Sequence, residues 1–279
     1  FLPPDKDSFY HARRIIDALG DPLRVAQFDA RIHAPEGSWI LWPWAYATAM
    51  ACLTRLLMAL TGAADPMSVL AFIAPAWVFV NAALFLGIAS RLRLSLAMHA
   101  LAMLFFTLLP LTQMLHRVGM VDHHYIEWTF VLASLYCGLG WFDDLASRRR
   151  AAALAAVLGA APAFHTGLFI LQLPVLLAFA WLWALKRPLD RGGTLAFGAV
   201  LLAVTAAFLL PSEPFRRGEF SYYLHSGFHL YIAFCTALLC VLMGFLRFRP
   251  AAVAGLCALA AGLATPVLRQ LQLGREFLF

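Results

Sequence analysis

Apolar residues run in long, nearly unbroken stretches along this chain, and short basic turns interrupt them. A bilayer core of about 30 Å takes roughly 20 apolar residues per helix. The pattern predicts helices over 42–62, 67–90, 94–112, 122–142, 150–163, 165–185, 193–210, 227–246 and 250–268. The fifth and sixth share one stretch, which "APAFHTG" divides; there Pro162 and Gly167 are expected to break the helix beside His165. Before residue 42 the chain is more polar, with an amphipathic run from His11 to Leu19. The expected fold class is all-α: a polytopic transmembrane bundle.

Charge orients the bundle. Arg91 and Arg93, then Arg148, Arg149 and Arg150, then Lys186, Arg187 and Arg191, then Arg247 and Arg249 fill four inter-helix turns. These hold ten of the 21 basic residues, and the positive-inside rule assigns all four turns to the cytoplasm. The turns around 113–121, 162–167 and 211–226 then face outward. The helix over 42–62 carries Arg55 mid-run, and an arginine at bilayer centre costs about 2.5–3.5 kcal/mol even on the lenient scale. Residues 1–66 are therefore expected as a first external loop with interfacial helices, and 67–268 as about eight spans. Residues 269–279 would open a further external loop. The chain begins at Phe1 without a leader and is expected to be a piece of a longer protein.

Composition supports a lipid setting: 62% of the 279 residues are hydrophobic and 13% charged, against about 45–50% and 25% in soluble domains. The net charge of +6 lies in flanking clusters rather than a stripe, which argues against a nucleic-acid partner. Five cysteines sit inside apolar segments without CxxC spacing and read as small hydrophobes.

Three polar constellations fall on the outward side: "DKDSFYHARR", "FDARIHAPEGSWILWPW" and "HRVGMVDHHYIE". In the third, Asp122 stands where a helix N-cap belongs, but a cap leaves His123, His124 and Glu127 unexplained. On a helix His123 and Glu127 share a face, so the glutamate can orient the imidazole. At a start that is not yet helical, Asp122 and His124 point the same way. Carboxylate and imidazole together suit Mn²⁺ or Mg²⁺. Another acid should converge, and Asp7 is the candidate, since Ser8 can cap the amphipathic run in its place. Arg216 and Arg217, in an outward loop, and Arg117 are candidates for a lipid phosphate. His225 and His229 read as interfacial, in company with Tyr222, Tyr223 and Tyr231.

"DSFYHAR", then "FDARIHAPEG…WPW", then "GMVDHHYIE" resemble the catalytic subunit of oligosaccharyltransferase, particularly its archaeal and bacterial members. The resemblance implies a GT-C glycosyltransferase fold. It also implies a glycan moved from a polyprenyl (pyro)phosphate to asparagine of an acceptor polypeptide, in a cell (inner) membrane. The site would face the extracytoplasmic side. Asp7 matches the first-loop metal-binding acid, Asp122 the aspartate of the second acidic motif, and His124 the ligand two positions later. Arg117 departs from the pattern: it lies two residues before Gly119, where the family places an arginine four before. The family's further glutamate follows the helix at 250–268 and is expected beyond Phe279, with Glu213 in "PSEPF" as the fallback. The rival readings are another GT-C transferase, using a lipid-monophosphate sugar, and a membrane transporter, whose ionisable groups should lie at mid-membrane.

Overall fold

The computed structural model describes residues 3–277, with side chains to residue 270. It divides into two compact units, one up to Leu139 and one from Gly140.

The first unit opens with α1 (Lys6–Asp17), which buries Ser8, His11, Ala12 and Ile15, the spacing of one helical stripe. Its cap is Asp5, which accepts from the Ser8 N–H at 2.7 Å. Neither of the expected caps, Asp7 or Ser8, performs that role, because the helix starts one residue before Asp7. A small antiparallel pair follows, β1 (Phe28–Asp29) with β2 (Ser38–Trp39). Asp29 ties it to α1 by accepting from Arg13 at 2.9 Å. Arg14, almost fully buried, donates to the carbonyls of Trp42 and Ala26 at 3.2 Å each.

Helix α2 (Trp44–Thr61) buries Tyr46, Ala47, Met50, Ala51 and Thr54, while Arg55 lies on its exposed face. Helix α3 (Pro66–Arg91) starts under an Asp65 cap with Pro66 in the first turn, where a proline's missing N–H costs nothing. The single helix expected over 94–112 is two, α4 (Leu96–Leu108) and α5 (Pro110–Leu115). Pro110 forces Leu109 into an extended backbone, φ −62° and ψ 122°. Helix α6 (His124–Phe142) completes the unit and carries its last residues into the second.

The second unit comprises α7 (Arg148–Phe164), a 3₁₀ segment (Thr166–Leu171), α8 (Gln172–Ala184), α9 (Arg191–Leu209), α10 (Glu213–Arg216), α11 (Gly227–Phe245) and α12 (Pro250–Phe277). The break near residue 165 is present, but Pro162 does not make it: Pro162 lies inside α7, and the chain turns at His165, φ −150° and ψ 126°. Helices α7 and α9 pack backbone to backbone. A Cβ on Gly159 would stand 3.0 Å from the Leu201 carbonyl, the close approach that small residues allow between helices in lipid. Trp141, Phe179 and Phe197 stack beside them, with ring centroids 4.8 and 5.2 Å from the tryptophan. Helix α12 continues to Phe277, through the segment expected to open a loop at 269.

Among the described residues, six segments are long and apolar enough to cross a membrane: Trp44–Thr61, Pro66–Arg91, Thr166–Ala184, Arg191–Leu209, Gly227–Phe245 and Pro250–Gln270. Helices α4, α6 and α7, expected as spans, fall outside that set. Pro110 shortens the first, Glu127 and aromatic residues dilute the second, and three arginines open the third. All five cysteines are free; Cys240 is buried, whereas Cys52 and Cys257 are exposed.

Candidate functional site

The stretch before α6 is pinned from several elements of the first unit. Pro75 has no N–H, so within α3 the Ala71 carbonyl loses its usual partner. The Gly119 N–H fills that place at 2.9 Å. Gly119 adopts φ +86°, which glycine reaches without steric cost. Two residues on, Val121 is held at both ends: its carbonyl accepts from Tyr46 Oη at 2.6 Å, and its N–H donates to Ser8 Oγ at 3.3 Å.

Below it, the fully buried Asn81 of α3 donates to the Tyr125 carbonyl at 3.0 Å and lies 3.0 Å from His116 Nε2. Its oxygen accepts from Thr129 at 2.7 Å. A buried amide with both ends occupied fixes one arrangement of its neighbours. The polar stretch is a clamped end of a helix pair, its backbone held from α1, α2 and α3.

On this base the two oxygens of Asp122 are differentiated. Oδ1 accepts from the His123 N–H at 2.7 Å and faces His123 Nδ1 at 2.5 Å and His11 Nε2 at 3.4 Å. Oδ2 faces His124 Nε2 at 3.2 Å. Glu127 serves both imidazoles: Oε1 lies 3.0 Å from His123 Nε2, and Oε2 lies 3.0 Å from His124 Nδ1. The sequence assigns Glu127 to His123 alone; its second contact, three residues back along the helix, is the one that turns His124 Nε2 toward Asp122.

The electrostatics follow the contacts. Burial raises the Asp122 carboxyl, but the His123 hydrogen bond and the surrounding imidazole charges outweigh it and hold the pKa at about 2. Burial also opposes charge on His123, yet hydrogen bonds to Asp122 and Glu127 push it up to about 9. His11, completely enclosed and beside that charge, is driven well below its ordinary 6.5.

A carboxylate oxygen and an imidazole nitrogen are both donors for a divalent cation. Neighbouring corners of an octahedral shell with bonds of about 2.1 Å are about 3 Å apart, and Asp122 Oδ2 and His124 Nε2 are 3.2 Å apart. Glu127 holds the far nitrogen of His124, the carboxylate–histidine arrangement that orients metal-binding imidazoles.

A tighter grouping, with donor atoms all within 4.8 Å, consists of His11, Asp122 and His123; Asp7 and His124 lie outside it. Asp7 is exposed in the first turn of α1, and His11, one turn further on the same face, is the residue that touches Asp122. Arg117 is exposed and 3.5 Å from Asp5. In the second unit, Glu213 pairs with Arg217 at 2.6 Å, and Arg216 is exposed. His225 and His229, expected at the interface, are buried within the protein. Sequence reasoning missed His11 and Tyr46; the one legible signal for His11 was its position four residues after Asp7.

No family model and no curated protein matches the chain. Solved structures do. An archaeal oligosaccharyltransferase, AglB from Archaeoglobus fulgidus in complex with an inhibitory peptide and a dolichol-phosphate, superposes with a TM-score of 0.76 at 20% identity, over 96% of this chain. The chain has the fold of part of an archaeal oligosaccharyltransferase. The A. fulgidus enzyme tethered to an acceptor peptide containing the NVT sequon matches at 0.72 and 19% identity over 92% of this chain. Its complex with Zn and sulfate matches at 0.68 and 19% over 98%. The chain spans 34 to 36% of those structures' length. This polytopic all-α architecture is the GT-C type expected from the sequence, and with six apolar helices it is that of a multi-pass membrane protein.

Proposed function

We propose that this chain is the membrane portion of a metal-dependent oligosaccharyltransferase, moving a glycan from a polyprenyl (pyro)phosphate to an asparagine side chain. The observation that carries the reading is the differentiated Asp122: one oxygen committed to protein donors, the other paired with an oriented His124 at 3.2 Å. The fold match supports the same substrate and ligand classes, since the matching structures hold a dolichol-phosphate, a sequon peptide and zinc.

Asp122 and His124 would hold Mn²⁺ or Mg²⁺, with Asp7 as the third ligand. Position 7 suits that part, because its neighbour Ser8 bonds Val121 and His11, one turn on, reaches Asp122. A bound cation supplies charge neutralisation at the departing lipid phosphate. The chain's own residues bind and orient: Glu127 fixes the His124 ring, and His123, charged and buried, keeps Asp122 ionised. The acceptor amide is a weak nucleophile because its lone pair is delocalised, so carboxylates must hold it out of conjugation. Arg216, which is exposed, is better suited to a lipid phosphate than Arg217, which Glu213 already occupies. The site would face the extracytoplasmic side of the cell membrane, a reading supported by the basic turns between the apolar runs.

In the full-length protein, Asp7→Ala and Asp122→Ala should each reduce transfer to a sequon peptide by at least about 10²–10³-fold at unchanged expression. Retained transfer in both variants refutes the assignment. Equal activity on a peptide whose asparagine is replaced by glutamine would instead favour another GT-C transferase.

A further inference from the structure

His11 is the one histidine of this cluster that the proposed chemistry leaves without a task, and its surroundings are unusual. It is wholly buried. The rings of Trp42 and Tyr46 stand edge-on to it at 5.2 Å each, and His123 at 5.0 Å. Its Nδ1 has no hydrogen-bond partner among the described residues. A ring that only filled space would be better as phenylalanine, because an enclosed nitrogen without a partner costs stability. What remains to account for the imidazole is Nε2, 3.0 Å from His123 Nδ1 and 3.4 Å from Asp122 Oδ1.

Two lone pairs do not face each other at 2.5 Å, so His123 Nδ1 carries a proton and donates a hydrogen bond to Asp122 Oδ1, which stays ionised. His11 Nε2 lies beside that bond, within reach of both partners. With Nδ1 unpartnered and the proton on Nε2, the ring is a second donor on the Oδ1 side of the carboxylate. We propose that His11 is a positioning residue: its Nε2–H, beside the His123 donor, holds Asp122 Oδ1 on the protein side and thereby reserves Oδ2 for the cation. The inference rests on the metal reading above and adds a residue that touches neither metal nor substrate.

Two substitutions separate this role from packing. His11→Phe keeps a ring of similar size and removes the nitrogen; His11→Gln loses the ring and places an amide nitrogen near the Nε2 position. In the full-length protein in nanodiscs, Mn²⁺ affinity is read from the EPR signal of free Mn²⁺, alongside thermal unfolding without metal. His11→Phe should weaken Mn²⁺ binding about tenfold or more, the size typical of lost outer partners, without lowering the unfolding temperature. His11→Gln should stay within about threefold of the unsubstituted protein. Unchanged Mn²⁺ affinity in His11→Phe, or weakening by His11→Gln equal to or beyond it, overturns the proposal. His124→Ala is the control for the metal reading. Failure of the unsubstituted protein to bind Mn²⁺, or binding that survives His124→Ala, overturns the cation site itself and this inference with it.

Discussion

Each unit of the chain holds a cluster of histidines, and the two clusters are put to different use. In the first, His123 and His124 face carboxylates: Asp122 and Glu127 contact both rings. In the second, His229 accepts from the Ser226 N–H at 3.3 Å and contacts the Thr166 carbonyl at 3.2 Å, while the Ser212 hydroxyl donates to the His225 carbonyl. Ser226 caps α11 and also accepts from the Ser221 N–H at 3.0 Å. Each bond of that second knot has a backbone group at one end, so the knot satisfies the chain itself. His225 shows the consequence: burial, reinforced by His229, drives its pKa well below 6.5, whereas carboxylates lift His123 to about 9. Burial alone makes a histidine neutral and structural. Burial with hydrogen bonds to two carboxylates makes His123 charged and keeps Asp122 ionised.

The comparison is tested most sharply at Glu127, which touches both rings of the first pair and has no counterpart among the bonds of the second. Glu127→Gln keeps the shape and removes the charge. Mn²⁺ affinity should fall by about 10–100-fold, measured on the full-length protein, with the fold intact. If affinity is unchanged, the carboxylates around His124 are architecture of the same kind as the serine knot. The complementary change is Ser226→Ala, which removes a cap and leaves the Ser221 N–H unpaired. It should cost about 1–2 kcal/mol, or about 3–6 °C in thermal unfolding, while Mn²⁺ affinity stays within error. A shift in metal affinity there would mean that the two clusters are not independent.

What is legible in the sequence divides along the same line. Helices are legible because an apolar run of sufficient length dictates its own conformation in lipid, and "DHH" is legible because its ionisable groups are costly at a helix mouth. Contacts that need a partner distant in sequence are not. Pro75 gives no hint that the carbonyl it frees, on Ala71, takes Gly119 and so fixes the segment leading to Asp122. The cap of α1 falls two or three residues earlier than expected because Asp5, Asp7 and Ser8 are all competent caps and only the helix start decides. His225 and His229, beside three tyrosines, resemble a membrane-interface belt; their burial depends on a loop folding back through Ser212 and Ser221. His11 is hidden for the same reason, since its meaning lies 112 positions away in His123.

The smallest expected effect belongs to an ion pair with a short contact. Arg217 and Glu213 lie 2.6 Å apart at α10, closer than His11 and Asp122 at 3.4 Å. Distance alone would rank the first above the second. Exposure reverses the order: the Arg217 side chain is 64% exposed and Glu213 33%, against 0% and 6% for the other pair. Water screens the first, and holding two long side chains together costs entropy, so such pairs contribute about 0–1 kcal/mol. Arg217→Ala should therefore change stability by no more than about 0.5 kcal/mol in thermal unfolding, less than the loss expected of Ser226→Ala. A loss of about 2 kcal/mol or more, beyond the range of exposed pairs, would show that α10 is held from within its own unit far more firmly than its exposure indicates. Glu213 would then belong with the buried, structural group rather than with the solvated surface.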